Sequence, residues 1–174
     1  MHDLITYNGK VTIKIKNKPP VKTKNSGTPI LFNMLCNILS GALSDSSSLT
    51  QHTSLPCYMS IITDVSVVRS DKTVETDYNK LKTYSIVTDL LPITSKSIES
   101  TSNSITLSTL LVYSMIKTTA VASLTETSTC TILLLDSQNK ILAFSEFDFA
   151  SIQSVCIDPN IQAVIDWNMS FTNK

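Results

Sequence analysis

The chain has 174 residues with 14 basic and 14 acidic side chains, a formal net charge of zero. Charged residues are only 16% and hydrophobic ones 42%, with three glycines, which excludes a disordered polyelectrolyte and a Gly/Pro-rich or collagen-like chain. The length suits one domain able to bury a core, and the neutral balance argues against a surface given over to nucleic acid.

The front of the chain reads as a hairpin. Leu4 to Tyr7 precede Asn8-Gly9, a strong turn signal, and Val11, Ile13 and Ile15 then alternate with Thr12, Lys14 and Lys16. Pro19-Pro20 stops that strand, so Asn17 to Ser26 is expected to be an extended linker. Thr28 and Pro29 suit the N-cap and first position of a helix at about 28–41. Leu31, Leu35, Ile38 and Ala42 lie on one face of it, and Gly41 sits at its end. Residues 1–26 thus form a hairpin and basic arm, and 27–174 the main domain.

A serine-rich loop, Ser44 to Pro56, comes next. Period two then takes over, with strands expected at Cys57 to Ile62, Val65 to Arg69 and Lys82 to Thr88. Ser70 to Lys72 is a polar turn, and Pro92 to Asn103 is a Ser-rich loop. Further strands are expected at Ile105 to Tyr113, Lys117 to Ser123 and Thr129 to Leu135. Asp136 to Asn139 is a turn leading into a strand from Ile141 to Phe149. After a turn at Asp158-Pro159-Asn160, Ile161, Ala163, Ile165, Trp167, Met169 and Phe171 alternate strictly with other residues, which no helix face can do. Ser and Thr make up roughly a quarter of the chain, far above ordinary usage. With Val and Ile they suit pleated surfaces. The fold class expected is mainly β, an antiparallel β-sandwich of about eight strands with one α-helix near the N-terminus.

Chemistry is hard to find. No phosphate loop, dinucleotide fingerprint, metalloprotease motif or nucleophile elbow occurs, and three glycines cannot build a phosphate cradle. Cys36, Cys57, Cys130 and Cys156 are widely spaced, with His2 and His52 the only histidines, so no metal site is expected. The cysteines read as buried small hydrophobes, with disulfides the alternative. A Cys57–His52–Asp64 set can be drawn, but Cys57 begins an apolar strand and suits a core better. Glu146 and Asp148 share the wet face of a strand, and Trp167 belongs to a core face. The sequon at Asn168 lies within a strand, where a half-buried asparagine suits better than a glycan. No signal peptide or membrane span is expected. The chain is read as no enzyme, with no cofactor.

The zero net charge hides a split. From Leu4 to Leu43 there are six lysines (Lys10, Lys14, Lys16, Lys18, Lys22 and Lys24) and no acid. From Ala120 onward six acids face only Lys140 and Lys174. The lysines are a solvated strand edge that resists pairing, or an arm that docks on an acidic partner. Nucleic acid is an unlikely ligand, since the arm has no arginine and only Tyr7 to stack on a base.

The order of features resembles a known kind of protein. Asn25-Ser26-Gly27-Thr28 precedes an apolar helix ending Ile38-Leu39-Ser40-Gly41; then come Leu55-Pro56-Cys57-Tyr58-Met59-Ser60-Ile61, Asn139-Lys140-Ile141-Leu142-Ala143-Phe144 and Ile165-Asp166-Trp167-Asn168-Met169-Ser170-Phe171. This looks like the small β-sandwich virion proteins of tailed bacteriophages that join fibres to the tail or head. The low-glycine, Ser/Thr/Asn/Ile/Lys-rich style is similar to virion proteins of crAss-like phages. Where an acidic residue and Gly-Leu-Phe would be expected before the last hairpin, this chain has Ile132-Leu133-Leu134-Leu135. The resemblance implies a structural protein of the virion, made in the host bacterial cytoplasm. Its partners would be its own copies and fibre, tail or capsid subunits, and head-to-tail contacts between copies would close rings. The alternative is a carbohydrate- or receptor-binding module presenting Tyr58, Tyr78, Tyr84 and Tyr113.

Overall fold

The computed structural model describes residues 5–31, 56–63, 69–70, 73–74, 77–81, 85–99 and 104–173. The strictly alternating C-terminal segment is β11, Gln162–Asn173. Its Ala163, Ile165, Trp167 and Met169 are buried, because period two puts every second side chain on one face. The strand lies between β1 (Ile5–Ile15) and β8 (Ser104–Val112). With β1 it pairs antiparallel from Ile5 opposite Asn173 to Ile15 opposite Ala163, so the two ends of the described chain zip together.

This pairing corrects the expected hairpin at Asn8-Gly9. Both residues lie inside β1, opposite Ser170 and Met169. The reversal comes later, where Asn17 takes a φ of 63° and the Lys18 N–H donates to the Ile15 carbonyl. The expected linker is also corrected, since Val21–Gly27 is strand β2. Val21, Thr23 and Asn25 are half-buried while Lys22 and Lys24 are exposed, a period-two pattern carried by polar residues.

Strand β2 changes neighbours midway. Val21 to Lys24 pair with β1, from Ile13 opposite Val21 to Lys10 opposite Lys24. Asn25, Ser26 and Gly27 pair with β10 (Ile141–Asp148). Strand β10 pairs with β9 (Thr129–Asp136), β9 with β3 (Pro56–Ile62), and β3 with β6 (Leu91–Pro92). Two residues further on, the same segment has crossed over. The Ile93 N–H donates to the Cys57 carbonyl and the Thr94 N–H to the Ser108 carbonyl. Then β7 (Ser95–Glu99) pairs with β8.

The nine antiparallel strands therefore form one sheet, in the order β6-β3-β9-β10-β2-β1-β11-β8-β7, curled until one continuous segment touches both ends. The chain is mainly β, as expected; the strands form this single curled sheet. Two further short strands, β4 (Arg69–Ser70) and β5 (Thr73–Val74), pair across the expected polar turn.

The inside of the curl is the main core, built around Trp167 with Val11, Ile13, Leu107, Leu111, Ile132 and Leu134. A second cluster covers the outer face of β9 and β10. There Tyr78, Leu81 and Ile86 pack on Ile62, Leu133, Leu135, Ile141 and Phe144. This explains the unbroken apolar run Ile132 to Leu135, since a strand buried on both faces need not alternate. Residues 77–81 are held there by the Lys140 ammonium on the Asp77 carboxylate (2.8 Å) and by the Tyr78 N–H on the Asn139 carbonyl (3.0 Å). The hydrogen bonds from Lys140 and Asn79 hold Asp77 below the usual carboxylate range.

Other expectations need adjustment. Only Thr28 to Leu31 of the expected helix are described; Pro29 to Leu31 are helical, and Leu31 is fully buried. The Thr28 hydroxyl donates to the Ile141 and Leu142 carbonyls (2.7 and 3.0 Å). The loop at 44–55 and most of the strand expected at 65–69 lie outside the described residues. From the strand expected at 82–88, residues 85–88 make isolated bridges, Ile62 with Ile86 and Thr88 with Ile116. The Ser-rich stretch expected as a loop contains β7, whose five residues are all exposed. Its Lys96 sits opposite the core-facing Leu107, where a charge discourages further edge pairing. The strand expected at Lys117 to Ser123 is a helical turn, Thr118–Val121. The Lys117 N–H is engaged by the Val87 carbonyl, and β-branched propensity yields to that connection. A second helical turn, Gln153–Ile157, was without a sequence signal.

Cys130 and Cys156 are buried free thiols and Cys57 is half-buried; Cys36 lies outside the described residues. Burial pushes the Cys130 thiol up to about 12 and the Cys156 thiol to about 11. Among the described residues, no helix is long and apolar enough to cross a membrane.

Thr131 is fully buried and its hydroxyl has no hydrogen-bond partner among the described residues. Thr131→Val keeps the shape and removes the unpaired group. Urea unfolding should show a gain of about 1 kcal/mol; a loss of that size would mean that the hydroxyl is satisfied.

Candidate functional site

The six lysines fall in three settings. Lys10 and Lys14 lie on the outer face of β1 and Lys22 and Lys24 on that of β2, because Val11, Ile13 and Ile15 take the inner face. Lys16 follows β1, and Lys18 lies in the turn, its ammonium 3.0 Å from the Ser154 hydroxyl. Lys14 pairs with Asp166, which also accepts from the Ser108 hydroxyl (2.7 Å). Lys14 and Lys16 border a hollow that contains the cross-strand pair Leu110 and Val164.

Lys10, Lys22 and Lys24 come together around a cleft of about 510 Å³. It opens where β2 parts from β1 to reach β10. Among the described residues the rest of its lining is Tyr7, Asn8, Gly9, Thr23 and Asn25, with no acidic residue. Lys10 stands directly opposite Lys24. Like charges so placed destabilise a sheet by a few tenths of a kcal/mol. Among the described residues no carboxylate pairs with Lys10, Lys22 or Lys24.

The floor is a polar cluster. Amide orientation follows from the neighbours: the Asn25 oxygen accepts from the Trp167 indole N–H (2.7 Å) and the Lys10 backbone N–H (3.2 Å), and its nitrogen donates to the Tyr7 hydroxyl (2.8 Å). Trp167 is fully buried, and Asn25, beside the Tyr7 hydroxyl, gives its indole N–H an acceptor in the core. Gly9 makes room for this. A Cβ there would overlap the Asn25 carboxamide. Burial raises the Tyr7 phenol to about 12, outweighing the hydrogen bonds from Trp167 and Asn25, which lower it. Tyr7 is therefore a neutral group at ordinary pH.

The sequence singled out the lysines and missed Tyr7, Gly9, Thr23 and Asn25. One signal was available: an isolated glycine within a period-two pattern marks a close approach, and Gly9 was read as a turn instead. The other candidates are placed only in part. His52 and Asp64 lie outside the described residues, and Cys57 is half-buried in β3. Glu146 and Asp148 are exposed on β10, bordering a hollow shared with Lys22. Asn168 is half-buried and donates to the Thr106 hydroxyl (2.9 Å). The expected tyrosine patch is corrected at Tyr78. Tyr78 is buried with its hydroxyl 3.0 Å from that of Ser60, Tyr58 and Tyr113 are half-buried, and Tyr84 lies outside the described residues. Among the described residues no group of three or more His, Cys, Asp or Glu could hold a metal. No family model, curated protein or solved structure matches the chain.

A double-mutant cycle tests the floor. Asn25→Ala should cost about 1–3 kcal/mol by taking away an acceptor of the buried Trp167 N–H and the partner of the Lys10 N–H, and Gly9→Ala a similar amount by expelling Asn25. In the Asn25→Ala background the further cost of Gly9→Ala should fall below about 0.5 kcal/mol. Additive costs would separate the two residues.

Stability should also depend on alkaline pH. Groups whose pKa rises on folding stabilise fully below their unfolded values, 9.0 for the thiols and 10.0 for Tyr7. That stability is lost as pH climbs toward 12. Tyr7→Phe should flatten the decline above pH 10; an unchanged profile would count against a buried phenol.

Proposed function

We propose that this chain is a non-catalytic assembly protein that docks on an acidic surface of a neighbouring protein through its lysine-bearing β1–β2 face. The observation that carries the reading is the set of ammonium groups on that face that no carboxylate pairs with among the described residues. Lys14 is neutralised by Asp166 within the chain and Lys18 is engaged by Ser154, but Lys10, Lys22 and Lys24 surround an opening whose described lining holds no acid. Exposed charge of one sign steers and orients an oppositely charged partner.

The virion is the setting that the resemblance to small phage structural proteins supplies, as an adaptor or attachment subunit for tail or head fibres. Its two-sheet sandwich form is part of the same proposal. The neighbours in that setting are further copies of the chain or other virion subunits.

Light scattering after size exclusion and immunogold microscopy of the phage particle test this together. The chain should be found in the particle, and its assembly should weaken at high ionic strength, where exposed charges are screened. Lys10→Glu/Lys22→Glu/Lys24→Glu should abolish incorporation while keeping the wild-type circular dichroism spectrum. A chain that is monomeric at every concentration and missing from the particle would sink the reading.

A further inference from the structure

We infer that the cleft between β1 and β2 is a carboxylate-binding site that receives an acidic side chain from the docking partner. This rests on the docking role proposed above and specifies where and how the partner is held.

Three features set the cleft apart from a merely basic surface. The first is register. β2 places Lys24 directly opposite Lys10, and β1 places Lys14 where Asp166 of the adjacent strand can reach it. One strand thus carries a lysine matched within the chain and another matched against its own kind. An anion between Lys10 and Lys24 turns that repulsion into two attractions.

The second is a floor made before the ligand arrives. Asn25 is fixed by Trp167, by the Lys10 backbone and by Tyr7, and Gly9 leaves it no side-chain competitor. Preorganised polar groups lower the ordering cost of binding. The third is sign. The described lining residues are lysine, tyrosine, threonine, asparagine and glycine, and none of them is an acid. A planar carboxylate can accept from two ammonium groups at once, and a charge-assisted hydrogen bond is about twice as strong as a neutral one.

The probe is a hexaglutamate peptide, titrated by calorimetry at low salt, with inorganic phosphate in a parallel titration. The variants are Lys10→Ala/Lys24→Ala in the cleft and Lys16→Ala/Lys18→Ala outside it, each checked for an unchanged thermal melt. Wild type should bind the peptide, the cleft variant should lose about tenfold or more in affinity, and the outer variant should change less than about twofold. Equal losses in both variants, or no peptide binding by wild type, would overturn the site. Phosphate binding without peptide binding would overturn it too, by reassigning the cleft to free oxyanions. Peptide binding at the cleft by a chain missing from the particle would leave the site standing and remove the docking role. Incorporation that fails on charge reversal, with no peptide binding, would do the reverse.

Discussion

The Asn25 carboxamide lodged over Gly9 is the constraint from which much of the architecture follows. A buried indole N–H needs an acceptor, and the inner face of a β-sheet offers few. Trp167 finds one because β2 carries Asn25 across the inner face of β1 at the one residue of β1 that has no side chain. Once Asn25 is seated, β2 cannot continue along β1. It turns to β10, where Asn25 stands opposite Ser145. β1 runs on beside β11, and among the described residues no strand pairs with its other side from Ile5 to Gly9. The curl of the sheet at this point and the cleft are two views of the same departure.

The opposite end of the sheet uses the same device without a polar cluster. Leu91 and Pro92 lie on β3, and Ser95 to Glu99 lie on β8, with only Ile93 and Thr94 between them. The Thr109 hydroxyl donates to the Pro92 carbonyl (2.7 Å) and ties the corner down. Strands that change neighbours at corners let one sheet enclose a core.

What was legible in the sequence follows from where the hydrophobic signal lies. β11 was legible because Ala163, Ile165, Trp167 and Met169 alternate on a single buried face. The β9–β10 hairpin was legible because Asp136 accepts from the N–H groups of Gln138 and Lys140 (2.8 Å each) and Asn139 tolerates a φ of 61°. β2 and β7 were hidden because Lys22, Lys24, Ser95 and Ser97 give no apolar period, and backbone pairing alone places them. Asn8-Gly9 misled because a glycine that makes a turn and one that makes room for a neighbour look alike in a single sequence. The six lysines were legible as a group. Their division into matched and unmatched members depends on register across strands, which no local pattern encodes.

The charge split along the chain also changes meaning once folded. Pairing β1 with β11 mixes the basic front with the acidic end, and three of the six late acids are used inside the molecule. Asp136 holds a turn, Asp158 accepts from the Asn160 N–H (2.9 Å), and Asp166 neutralises Lys14. The acidic third is therefore no single patch that another copy could grip as a block. Glu146 and Asp148 remain exposed, but they border the hollow that Lys22 also borders, so a neighbouring copy would compete with a lysine already at hand. That competition reaches one member of the cleft and spares the other two. Lys10 and Lys24, set against each other by register, have no carboxylate partner among the described residues, and the carboxylate proposed from outside the chain would pair with both at once.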